Sequence, residues 1–211
     1  MPGEDGYLRL REAIVSGRLQ PNQRLVETEL GDELGVGRSA VRTALARLDQ
    51  EGLVEHERNR GARVRLVEEG EAVEILEARS ALEGLAARHA ALHRSEEDVA
   101  RLREILAQMR DLLAAGDLLG ASDRNALLHR RVVAASGHAT AARLIAGLNS
   151  QLVRFQYRTI MLPGRRDRSY EEHEAIVDAI VAGDADAAEA AMRHHLSHVA
   201  EALRGAGEEE R

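Results

Sequence analysis

Cysteine is absent from the 211-residue chain. That excludes a disulfide framework, a thiolate zinc site, an iron–sulfur cluster and a cysteine nucleophile. Aromatic side chains are scarce: three Tyr, one Phe and no Trp. A core must then come from Leu, Ala, Val and Ile, which favours closely packed helices over a sheet protein. The only prolines are Pro2, Pro21 and Pro163, so long stretches carry no helix breaker. Lysine is missing as well, and all 29 basic residues are Arg, a mark of high-GC coding rather than of function. No apolar run approaches ~18 residues, and the N-terminus lacks an apolar signal core. A cytoplasmic protein with no membrane partner is expected.

What is present is a polar, well-mixed chain, 44% hydrophobic and 31% charged, able to bury a core. The formal net charge of −7 is unevenly spread. Residues 1–67 hold 11 Arg against 11 acids, and the rest of the chain carries the whole negative balance. Within the first part, Val36–Val67 has seven Arg and four acids. A basic segment on an acidic protein points to a local polyanion-binding surface, although a solvated face reads the same way in isolation.

The order of elements in residues 1–67 sharpens this. Residues 7–17 place Leu10, Ile14 and Val15 on one helical face, with Gly17 as the stop. RLQPNQRLVE reads as a loop. ETELGDELG is a short helix ending at Gly35, and GVGRSAVRTALARLDQEG follows with Val41, Leu45 and Leu48 at i, i+4, i+7. Two short helices across a Gly-containing turn form a helix-turn-helix pattern. LVEHE and ARVRLV then read as a β-hairpin around RNRG, with Asn59 and Gly61 suited to positive φ. The whole is a winged helix-turn-helix. The N-terminal residues of its second helix, Arg38, Ser39 and Arg42, fall where base edges are read. Arg58, Arg60 and Gly61 make the wing tip, suited to phosphate or minor-groove contact.

The run from Leu8 to Val67 resembles the DNA-binding domain of the GntR family of bacterial transcription regulators. Departures from that pattern are Gly37 in place of Ser or Thr, Ala40 in place of Pro, Thr43 in place of Glu, and Thr28 in place of Arg. The resemblance implies operator binding without fixing the operator.

From Glu68 onward the pattern is helical, with expected segments at 69–93, 95–115, 117–136, 138–162, 169–182 and 184–204. Breaks fall at Ser95, Gly116, Gly137, residues 163–169 and Gly183, and the tail after 204 is expected to fray. The predicted architecture is mainly α: a winged helix-turn-helix over residues 1–67, and over 68–211 an antiparallel all-α bundle of about six helices. His173, Ile176, Val177 and Ile180 share one face of the fifth of these helices. His195 lies on the apolar stripe of the sixth with Ala188, Ala191, Met192, Val199 and Leu203. His194 and His198 fall on another, solvated face. On the third, Asn125 and His129 lie about 40° apart around the axis, so both can point inward. Three inward imidazoles beside an amide oxygen make a candidate divalent-metal site for zinc, nickel or manganese, or else a polar cluster whose members satisfy one another.

This second part resembles the FCD ligand-binding domain of the FadR subfamily of GntR regulators. The matching runs are ILEARSALEGLAARHAA at 75–91, NALLHRRVVAASGH at 125–138 and EEHEAIVDAIVAGDADAAEAAMRHHL at 171–196. The resemblance implies a metal held by Asn125, His129, His173 and His195. Asn stands at a position more often Asp, and an amide is the weaker ligand. Leu128 and His138 are further departures. Arg79 reads by pattern as a side chain paired with Glu83 at i+4. By resemblance it reaches an effector carboxylate, and a guanidinium fork suits one. Gln151, Phe155 and Thr159 are candidate neighbours in the same effector cavity.

Three readings follow. The first is a ligand-responsive repressor: a homodimer on double-stranded operator DNA, released by a small carboxylate bound beside the metal. The second is a metalloenzyme, disfavoured because no carboxylate lies on the expected inner faces as a general base. The third is an architectural DNA binder with an inert bundle.

Overall fold

The computed structural model describes residues 2–57, 61–152, 155 and 165–209. These divide into two compact units: Met1–Val67 with Asn149–Arg154, and Glu68–Leu148 with Phe155–Arg211. The first unit thus takes in residues 1–67 and the short stretch at 149–154.

In the first unit, helix α1 (Pro2–Val15) starts earlier than the expected residue 7 and buries Tyr7, Leu10 and Ala13. Pro2 stands in the first turn, where its missing N–H costs nothing. Helix α2 (Glu27–Leu34) has two glutamates in its first turn, favourable at the positive end of the helix dipole. It stops at Gly35, whose φ of 65° is the left-handed closure that glycine adopts without a Cβ penalty. Helix α3 (Arg38–Gln50) follows at once and buries Val41, Ala44, Leu45 and Leu48, the i, i+3, i+4, i+7 stripe of its sequence.

The wing pairs β2 (Val54–Glu57) with β3 (Gly61–Val64), antiparallel, with Val54 opposite Val64. A third strand, β1 (Arg24–Leu25), completes the sheet in the order β1-β3-β2. Residues 24–25 read as loop in the sequence because two residues show no period. Backbone bonds between Asn22 and Val64 and between Val64 and Gln23, each 2.9 Å, pin them to β3.

The second unit is an all-α bundle: α4 (Glu69–His93), α5 (Glu96–Ala114), α6 (Leu118–Ala135), α7 (Ala139–Gln151), α8 (Arg165–Ala182) and α9 (Ala185–Glu209). Six helices match the expected number among the described residues. Ser95 and Asp98 form a reciprocal capping box at the start of α5. The Asp117 side chain caps α6. Helix α4 is the central element, packing against α9, α6 and α8. Its Ala86, Ala87, Ala90 and Ala91 are fully buried and let the neighbouring helices come close. At Gly84 the approach to α9 is tighter still: an added Cβ would lie 2.9 Å from Cγ of Arg193.

Three boundaries differ from expectation. The fourth bundle helix, expected to reach 162, ends at Gln151; residues 153–154 and 156–164, Thr159 among them, lie outside the described residues. Helix α8 begins at Arg165 rather than 169. The run RRDR looks like a loop by charge, but Arg165 lies seven residues before Glu172, on the same face, and pairs with it. Helix α9 runs on to Glu209 where fraying was expected. With no proline in the tail, extending a formed helix by a turn costs little.

Candidate functional site

Four helices bring the site of the bundle together. Helix α6 supplies His129, α8 His173 and α9 His195; these are 5%, 1% and 2% exposed. Their ligand nitrogens lie within 4.8 Å of one another. His129 Nε2 and His173 Nε2 are 3.4 Å apart. Two nitrogens sharing a tetrahedral zinc at ~2.1 Å would be separated by about 3.4 Å. Asn125, one turn before His129 on α6, has its Oδ1 buried with no hydrogen-bond partner. An orphaned acceptor of this kind costs stability unless something else binds it.

Each of two histidines is oriented by a carboxylate. His129 Nδ1 donates to Glu83 Oε2 at 2.6 Å, and His195 Nδ1 donates to Glu172 Oε2 at 2.8 Å. This fixes the tautomer and leaves Nε2 of both rings as the lone-pair donor, the carboxylate–histidine arrangement that tunes metal sites. Glu83 is fully buried on α4. Burial alone would raise its carboxyl pKa. The Arg79 guanidinium, whose Nε lies 2.7 Å from Oε1, and His129 more than offset this and hold it at about 2. The carboxylate is therefore ionised and can only accept. His173 and His195 titrate well below the ordinary imidazole range, chiefly through burial; His195 and His129 add to this at His173, and His129 and Arg165 at His195. Neutral imidazole is the form that ligates.

The charged groups around the triad continue outward. Glu172 Oε2 also accepts from Arg165 Nη2 at 2.8 Å, and Oε1 accepts from His198 Nδ1 at 2.7 Å. His198 was expected on a solvated face; it is half-buried and belongs to this network, because the α8 carboxylate reaches across to it. His194 is exposed, as expected. The carboxylates thought absent from the inner faces are thus Glu83 and Glu172. Glu83 was legible only as an i+4 partner of Arg79. Glu172 was hidden by standing next to His173, which placed it on a different face of the same helix. Arg165 was read as loop.

Of the expected effector contacts, Arg79 is held by Glu83, the pairing its spacing had offered. Phe155 is half-buried and groups with the bundle. Gln151 groups with the first unit: its Oε1 accepts from Arg65 at 3.0 Å and its amide packs on Gly52. The structure does not place it with the histidines.

On α3 of the first unit, Arg38, Ser39 and Arg42 are exposed together at the N-terminal end. Arg42 is held along one edge of its guanidinium by Glu27 of α2, Nε to Oε1 at 3.1 Å and Nη2 to Oε2 at 2.8 Å. The hydrogen bond from Arg42 lowers the Glu27 pKa. Gly61 opens β3 with φ of 88°. Arg58, Asn59 and Arg60 lie outside the described residues.

This division matches known families. Residues 3–64 match the bacterial regulatory proteins of the gntR family, and residues 74–198 match the FCD domain. The chain belongs to the GntR family, with an FCD domain. Among curated relatives, the "Probable D-xylose utilization operon transcriptional repressor" of Paenarthrobacter nicotinovorans is 34% identical, over 87% of this chain and 80% of its own length. The HTH-type transcriptional regulator LutR of Bacillus subtilis is 32% identical, over 93% of this chain and 98% of its own. The solved structure of E. coli McbR/YncC shares the fold at a TM-score of 0.74 and 22% identity, covering 95% and 94% of the two chains. A structural-genomics GntR protein from Rhodococcus sp. RHA1 does so at 0.75 and 22%, covering 97% and 98%. This GntR–FCD protein is a transcription regulator and not an enzyme. Its first unit carries the GntR DNA-binding module and its bundle the FCD domain. None of its described helices is long and apolar enough to cross a membrane.

Proposed function

We propose that this regulator is a cytoplasmic repressor that binds operator DNA as a homodimer and is released by a small carboxylate effector held beside a divalent metal. The supporting observation is the convergence of three buried imidazoles from three helices beside an orphaned amide oxygen. His129, His173 and His195 would hold the metal through nitrogen, and Asn125 through Oδ1. Zinc, nickel and manganese fit such a set. The metal would supply a Lewis-acidic anchor for an anionic oxygen. Glu83 and Glu172 keep two of the rings in the ligating tautomer. Arg79, fixed by Glu83, is the guanidinium for the effector carboxylate.

At the other unit, Arg38, Ser39 and Arg42 would face the major groove, with Arg58, Arg60 and Gly61 at the wing. A single module of this size offers too little interface for tight specific binding, so two copies on a two-fold-related site are the expected assembly. The effector changes operator affinity only as far as it binds the two states of the regulator unequally. The repressor sense is supported by the name of the Paenarthrobacter relative.

The test is metal analysis of the purified protein, followed by operator binding with and without chelator and carboxylates. Stoichiometric metal, a dimer in sedimentation and carboxylate-dependent release are expected. A monomeric protein whose operator affinity ignores both metal and carboxylates would overturn the reading.

A further inference from the structure

Arg165 at the start of α8 is only 6% exposed, yet two of its three guanidinium nitrogens, Nε and Nη1, are buried with no hydrogen-bond partner. The third, Nη2, donates to Glu172 Oε2, the same oxygen that receives His195 Nδ1. Arg165 is therefore one carboxylate oxygen removed from the imidazole triad. An arginine carries five N–H donors, of which Nε and Nη1 hold three. Guanidinium stays charged at any physiological pH, so it cannot escape the cost of burial by losing a proton. Leaving charged donors unmade inside a helical bundle is among the more expensive defects a fold can carry. No second carboxylate within reach completes the pair: Glu172 is the only carboxylate that meets Arg165 among the described residues, and it is shared with His195 and His198.

The charges of the site point the same way. Glu83 is answered by Arg79, and Glu172 by Arg165 with the more exposed Arg168 3.7 Å from its other oxygen. The imidazoles are neutral when they ligate, and Asn125 brings no charge. A divalent ion on these four ligands keeps both of its charges without a protein counter-charge. A carboxylate at position 125 would have cancelled one of them; the amide does not.

We propose that Arg165 is an anion-binding subsite of the effector pocket, and that the effector is a dicarboxylate: one carboxylate for the metal and Arg79, the other for Nε and Nη1 of Arg165. The inference rests on the metal-and-effector reading and narrows it. Fixing two guanidinia by two carboxylates, Arg79 by Glu83 and Arg165 by Glu172, presets their donors and lowers the ordering cost of binding a doubly charged ligand.

Calorimetric titration of the zinc-loaded full-length protein tests this, with succinate, tartrate and citrate set against acetate and lactate. At least one of the first three should bind about tenfold or more tightly than both monocarboxylates. Arg165→Gln should abolish that preference while zinc content by atomic emission stays equimolar. Should the glutamine variant fail to fold, Arg165→Lys keeps the charge that Glu172 needs but loses the fork, and it should still lose most of the preference. If both variants discriminate like wild type, or wild type prefers monocarboxylates, the subsite is wrong and the effector reading stands. If no carboxylate binds zinc-loaded wild type, the effector reading falls, and the subsite with it.

Discussion

The same pair of residue types appears at two places in this molecule with opposite physical character. On the DNA-binding module, Arg42 and Glu27 meet in a two-bond fork, with the Arg42 side chain 71% exposed. In the bundle, Arg79 meets Glu83 with the carboxylate fully buried. Water screens the first pair, so its members can part when a phosphate or base offers more. The second pair has no such exchange open to it, because separating it strands a charge in a poorly polarisable interior. The exposed pair is suited to a surface that must change partners, and the buried pair to a frame that must not.

The sharpest way to break this comparison is to remove one acid from each pair. Glu83→Ala orphans both Arg79 and His129 and should cost about 3–5 kcal/mol in urea unfolding. Glu27→Ala, which loses only a screened surface pair and a first-turn acid, should move the unfolding midpoint far less. Equal losses would mean that burial does not separate the two pairs.

Acidification should single out the bundle in metal-free protein. His173 and His195 are held neutral in the folded state, below the ordinary 6.5. Unfolding lets them take up protons. Their contribution is fully present above pH 6.5 and is lost progressively as pH falls below it. Glu83, at about 2 against an ordinary 4.5, keeps its contribution above 4.5 and loses it between those values. Thermal melts from pH 8 to pH 3 should show two successive losses. A flat profile down to pH 5 would contradict the histidine assignment.

Metal should stabilise the bundle by about 2.7 kcal/mol at a hundredfold excess over the dissociation constant. His195→Ala should remove that gain and His194→Ala should not. His198→Ala should weaken it only partly, through Glu172. Loss in the His194 variant with retention in the His195 variant would reverse the inward face of α9.

The smallest effect on stability and the clearest on function belongs to Arg42. Arg42→Ala should weaken operator binding roughly tenfold if the guanidinium reads a base. Glu27→Gln should change operator preference, since it frees the fork that Glu27 now holds. Gel-shift titration of both variants on the same operator decides this.

Much of this was legible in the sequence, for a reason that differs between the units. Helix-turn-helix and bundle helices announce themselves by period, and His129, His173 and His195 fell on apolar stripes that the fold then buried. What the sequence hid were the residues whose roles come from crossing between helices. Glu172 serves His195 and His198 of α9, and Arg165 serves Glu172 from two turns away. No window along one helix contains such a relation. β1 was hidden for the opposite reason, being too short to show any pattern. Gln151, at the end of α7, meets Arg65 and Gly52, partners so distant in sequence that no helical period reports them.

Gly84 gives one feature a practical reach. It stands beside Glu83, which steers His129, and faces Arg193, two residues before His195. The missing methyl thus sets the distance between α4, which holds the carboxylate that orients His129, and α9, which carries His195. Enlarging residue 84 by one carbon acts as a shim: the Arg193 side chain must back away, and where it is α9 that yields instead, the spacing of the triad changes without a change of any of its side chains. A graded series at this position, read against metal content and affinity, tests whether the separation of these two helices sets what the triad can hold.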